Sequence, residues 1–154
     1  MENKKKFTFR YIIIAILAVI ILTFVRLGID EIVQSFKTPK LDDSKLEEIA
    51  REANEQFPYM LDDETRADEV KALPGKKLAY YYSLVNFDMD EDDFDIDYLI
   101  EVIEEEVIPM TIDEIKANSD IKSLRDNKVT FVFVYRDMYG REMASFELTH
   151  EDYR

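Results

Sequence analysis

Three stretches of this 154-residue chain carry side chains able to do chemistry. The first is Asp62-Asp63-Glu64-Thr65-Arg66-Ala67-Asp68, which sets carboxylates beside an arginine. Two carboxylates can share acid and base work when burial separates their pKa values. The candidate binding residues here are Asp62, Glu64, Thr65 and Arg66. The same spacing also suits an ordinary turn into an edge strand, with Asp62 and Thr65 bonding backbone and Arg66 pairing a carboxylate. The second stretch is the acidic run 87–97, in which Asp88, Asp90 and Asp92 open like a calcium loop. That pattern then fails, because its sixth position holds Asp93 instead of Gly and its twelfth holds Leu99 instead of Glu. These three aspartates are the metal-ligating candidates, set against a solvated acidic loop. The third is His150, followed by Glu151 and Asp152. No G-x-S-x-G, S-x-x-K or H-E-x-x-H motif accompanies it, so it reads as a terminal histidine with no nucleophile to activate.

Composition narrows the chemistry further. With no cysteine, thiol catalysis, a disulfide framework and Cys-ligated zinc are excluded. Glycines occur only at 28, 75 and 140, too sparse for a phosphate-cradling loop. No cofactor and no catalytic residue are expected. Charge is unevenly spread. Residues 1–40 hold 7 basic and 3 acidic side chains, whereas residues 41–154 hold 13 basic and 31 acidic ones, for a net −18. A domain so acidic repels nucleic acid and attracts cations or basic partners.

The elements that must position these residues begin with a long apolar run. Tyr11, Ile12, Ile13, Ile14, Val19, Ile20, Ile21, Leu22, Phe24 and Val25 belong to it, with Lys4–Lys6 and Arg10 ahead of it. This predicts a single-pass signal-anchor in the cell membrane, contacting the lipid bilayer, with the N-terminus cytoplasmic and the rest of the chain extracytoplasmic. The expected division is a cytoplasmic tip and transmembrane segment over 1–29, a stalk over 30–40 and an acidic domain over 41–154.

Within that domain, Asp42-Asp43-Ser44 offers an N-cap for a helix over 45–56, which Pro58 ends. Strands over 65–73 and 77–86 flank Pro74-Gly75-Lys76, a type II turn signal. After the acidic loop come helical periods over 98–107, a kink or break at Pro109, a second helix over 111–118, a short turn over 121–126 capped by Ser119 or Asp120, and Asn127 as the left-handed closing residue. Strands over 129–136 and 141–149 enclose the Asp137–Gly140 turn. In the last strand Ala144, Phe146 and Leu148 share one face, and Met143, Ser145 and Glu147 the other. The expected fold is α+β: a transmembrane helix, then helix, hairpin, helices and hairpin, with a four-stranded antiparallel sheet and helices on one face.

The stretch Phe57-Pro58-Tyr59-Met60-Leu61-Asp62-Asp63-Glu64-Thr65-Arg66, with Pro74-Gly75-Lys76 and Tyr80-Tyr81-Tyr82, resembles a group of small exported bacterial α+β domains. Their shared pattern is P-x-M-h-D-x-E-T-R (h apolar), P-G-K and Y-x-Y, and Val132–Gly140 resembles their last hairpin. The resemblance spans about residues 45–153. It implies the fold and export, and supplies no activity, these domains being functionally uncharacterised. The function expected is a membrane-tethered extracytoplasmic binding or accessory domain without catalytic activity, acting on a protein partner in the envelope. The alternatives are a structural subunit of an envelope or secretion assembly, marked by an apolar patch on the sheet face opposite the helices, and an enzyme using the 62–68 carboxylates.

Overall fold

The computed structural model describes residues 40–90 and 95–154. Helix α1 (Asp43–Ala53) starts where the Asp42 carboxylate accepts the Lys45 N–H at 3.0 Å, and it buries Leu46, Ile49, Ala50 and Ala53 along one face. A single 3₁₀ turn, Asn54–Gln56, carries the chain to Phe57 and the cis peptide before Pro58. Strands β1 (Tyr59–Met60), β2 (Thr65–Leu73) and β3 (Lys77–Leu84) follow. The β2–β3 turn holds two successive left-handed residues, Gly75 at φ +86° and Lys76 at φ +59°. Asp43 secures them by accepting both of their N–H groups, at 3.1 and 2.7 Å. Those two bonds hold the Asp43 carboxyl below its ordinary pKa.

Helix α2 (Ile96–Val102), capped by Asp95, passes through a wide π turn over Ile103–Val107 into α3 (Ile108–Ala117). Of the kink or break expected at Pro109, the break does not occur, and a widened turn precedes the proline within one helical run. Proline lacks an N–H and crowds the carbonyl four residues back, and a π turn relieves both without ending the helix. Helix α4 (Lys122–Asp126) has Ile121 at its N-cap and no side-chain cap, so neither Ser119 nor Asp120 fills that role. The left-handed residue after it is Lys128, at φ +58°, not Asn127. The Asn127 side chain instead accepts the Leu41 N–H at 2.8 Å. Strands β4 (Thr130–Arg136) and β5 (Glu142–Leu148) lead to a last turn of helix, α5 (His150–Tyr153), closed by a Thr149–Asp152 capping box.

The sheet corrects the expected architecture. It has five strands in the order β1-β2-β3-β4-β5, and it is mixed. Both hairpins form as expected, but β3 and β4 join them in parallel, Tyr80 opposite Phe133 and Tyr82 opposite Tyr135. A parallel pair needs a long crossover, and the helical segment between Leu84 and Thr130 is that crossover. Both faces of β3 and β4 are apolar because both strands are central. On the helix side, Tyr80, Tyr82, Phe131 and Phe133 are among the largest fully buried side chains, and the Tyr80–Phe133 and Tyr82–Tyr135 rings stack across the parallel pair. Phenol burial pushes the pKa values of Tyr80 and Tyr135 well up. A register shift beside Tyr135 makes Met143 an extra residue of β5, so Met143 joins the core rather than the opposite face.

The membrane arrangement is corrected too. Among the described residues no helix is long and apolar enough to cross a membrane. The helical run over 96–117 carries Asp97, Glu101, Glu104, Glu105, Glu106, Asp113 and Glu114, which an apolar bilayer core would not accept. The expected span Tyr11–Val25 and the stalk lie outside the described residues. The single-pass, signal-anchored placement and the bilayer contact therefore have no structural support.

Candidate functional site

The Asp62 turn is built from its own backbone upward. One Asp62 carboxylate oxygen accepts the N–H groups of Glu64 and Thr65, at 2.8 and 2.7 Å, and the Leu61 N–H reaches the Thr65 carbonyl at 2.9 Å. The Glu64 carbonyl accepts from Val85, which fixes the turn to the end of β3. Thr65 is fully buried, and its hydroxyl and the second Asp62 oxygen are both shut from solvent without a hydrogen-bond partner. Arg66 points elsewhere. It donates to Asp68 at 2.5 Å, and the other Asp68 oxygen accepts the Ser83 hydroxyl at 2.6 Å. Asp68, next to the inward-facing Ala67, faces away from the helices with Ser83, and the bulge there lets Val70 return to the core. Asp62 and Thr65 thus come together, and Arg66 does not join them.

The second cluster assembles residues far apart in sequence. Asp137 starts the β4–β5 turn and is fully buried. Its carboxylate accepts the Tyr139 and Arg141 N–H groups at 2.9 Å each and the Arg141 Nε at 2.7 Å. Burial by itself would raise the pKa of Asp137, but the Arg141 guanidinium and the two backbone donors outweigh it and hold the pKa below the usual carboxylate range. Arg141 also bonds Asp90, and it meets Asp88 at 2.6 Å. These carboxylates push its pKa up, Asp90 most strongly. The Met138 N–H donates to the Phe87 carbonyl at 2.8 Å, a second tie between turn and loop. Asp88 and Asp90 thus converge on an arginine, and Asp92 lies outside the described residues. Among the described residues no three acidic or histidine side chains form a group able to hold a metal ion.

Sequence reasoning placed Asp137 and Gly140 in a hairpin turn but missed Arg141 as the hub and Met138 and Tyr139 as its exposed neighbours. An arginine after a turn carries no local sign of partners more than fifty residues away. His150 sits in α5 with its ring edge-on to Tyr153, and its Nδ1 is buried without a partner.

The sheet face opposite the helices is a small apolar strip, Ala79, Val132 and Val134, with Leu73 and Tyr81 against it. Its own neighbours cover it. Lys77 pairs with Glu147 at 2.7 Å, Arg136 with Glu69 at 3.6 Å, and the Lys71 ammonium and Arg136 guanidinium lie 4.8 and 4.3 Å from the Tyr81 ring centre.

Two solved structures are similar to this chain. A secreted-type protein of Pseudomonas aeruginosa, described as secreted, superposes with a TM-score of 0.58 over 73% of this chain and 92% of its own, at 12% identity. The type II secretion system pilotin AspS of Vibrio cholerae gives a TM-score of 0.47 over 71% of this chain and 90% of its own, at 15% identity. No curated protein matches the sequence. Residues 40–144, which span α1 through the first part of β5, match the family model described as Domain of unknown function (DUF8479), and the chain belongs to that family.

Proposed function

We propose that this is a non-catalytic accessory domain of the cell envelope that works by binding a protein partner. One observation carries the reading: the carboxylates that the sequence offers for chemistry are taken up by backbone N–H groups, a hydroxyl and arginines that brace the fold, and do not face a shared open position. Asp62 spends one oxygen on two backbone N–H groups, Asp68 holds Arg66 and Ser83, and Asp88, Asp90 and Asp137 share Arg141. A general acid and base need to face a shared reacting atom. The Pseudomonas relative described as secreted supports an envelope setting. The assembly-subunit alternative is less favoured, because the open sheet face is sealed by its own ion pairs and offers no broad apolar patch. The test is complementation of a gene deletion in the native host by full-length Asp62→Asn/Glu64→Gln protein. Rescue at wild-type level is expected. Loss of rescue by a variant that is folded and normally abundant would favour the enzyme alternative.

A further inference from the structure

This inference deepens the accessory reading and rests on it. We infer that the β4–β5 turn, with Asp88 and Asp90 clamped beside it, is the docking surface, and that it receives a basic protein segment in which lysine or arginine is interleaved with apolar side chains. Tyr139 is 64% exposed and Met138 47%, the two most exposed large apolar side chains among the described residues. Both stand on backbone that is already fixed. The buried Asp137 carboxylate accepts the Tyr139 N–H, the Met138 N–H is held by Phe87, and the Arg141 guanidinium lies 5.3 Å from the Tyr139 ring centre. Docking onto a preformed turn costs little ordering entropy, and an exposed tyrosine is the residue type that often dominates contact energy.

Charge selects the partner. Arg141 brings one positive charge to Asp88, Asp90 and Asp137, so the clamp stays negative. Asp95 and Asp97, both exposed, follow where α2 begins. From Leu78 to Ile115 the sequence has 13 acidic residues and no lysine or arginine. A basic segment neutralises the net negative clamp of Asp88, Asp90 and Asp137 while its apolar side chains cover Met138 and Tyr139, whereas an acidic segment would meet like charge on docking. A second copy of this chain is disfavoured for the same reason, since each carries a net charge of −14.

The test is an amide chemical-shift titration of the full-length protein with a short synthetic peptide alternating Lys and Leu, and with its Glu/Leu counterpart, at low and physiological ionic strength. Shifts confined to residues 85–90 and 137–141, weakening with salt and absent with the Glu peptide, are expected. Met138→Ser/Tyr139→Ser, at two exposed positions, should weaken binding about tenfold or more. Glu47→Lys/Glu52→Lys on α1 should leave it unchanged. Unchanged binding by the double serine variant, or equal loss in the α1 variant, would overturn the proposal by showing attraction to net charge alone. No localised shift at either ionic strength would overturn it as well, while leaving the complementation result for the accessory reading untouched.

Discussion

At Asp137 a single carboxylate sets the geometry of a turn and, through Arg141, of a loop fifty residues earlier. Folding lowers its pKa, so the native state holds this proton less readily than the unfolded chain. Its contribution to stability is complete above the unfolded carboxylate pKa of about 3.9 and is lost as pH falls through the lower native value. Asp137→Asn should therefore cost about 1–2 kcal/mol at neutral pH, a hydrogen bond to a charged group discounted because Arg141 is partly exposed. Thermal melts of both proteins across acid pH would check this, and the difference should shrink as pH falls below the unfolded value. A second prediction concerns Asp88 and Asp90. Since Arg141 occupies their carboxylates, calorimetric titration of the protein with Ca²⁺ should show only millimolar or weaker binding, and a micromolar site would restore the calcium reading of this loop.

At the scale of elements, two guards act on β2. Its edge beyond β1 is covered by the Asn54 side chain, which donates to the Val70 carbonyl and accepts the Val70 N–H, both at 2.8 Å. A side-chain amide thus stands in for a neighbouring strand. Asn54→Ala should cost about 1–2 kcal/mol, read as a lower urea midpoint at unchanged slope, with more self-association from the uncovered edge. In the turn that follows β2, Gly75 sits at φ +86° with open space around it, so Gly75→Ala should cost about 1 kcal/mol from backbone strain alone. Helix α1, the two hairpins and the Pro74-Gly75 turn were legible in the sequence, because each rests on local period, capping or turn chemistry. Strand β1 is two residues long and too short to leave a period. The π turn before Pro109 was legible only as a kink or break, because proline's missing N–H is visible in sequence and its local remedy is not. The bulges that bring Val70 and Met143 to the core face leave alternation intact to the eye. For the site, the Asx role of Asp62 was readable from its turn, whereas Arg141 was not, since its partners meet only after the sheet has formed.

At the scale of the whole molecule, the core lies within the described residues, from Leu41 to Tyr153. A fragment covering 40–154 should unfold in one cooperative transition followed identically by fluorescence and circular dichroism. Phe133, stacked on Tyr80 and Phe146 at 5.7 and 5.0 Å, is central to it, and Phe133→Ala should cost about 3–5 kcal/mol in the same measurement. The parallel seam between β3 and β4 also governs how quickly this state can be reached. Each hairpin closes a short loop, but Tyr80 meets Phe133 only after the intervening chain has been drawn in. Closing a loop of that length costs on the order of 3–4 kcal/mol of chain entropy before the seam's contacts return anything. The hairpins and the helical crossover should therefore gain structure first, and the joining of the halves should set the refolding rate. Substitutions along the seam, and at the hairpin tips that are already formed when the halves join, will slow refolding more than they speed unfolding.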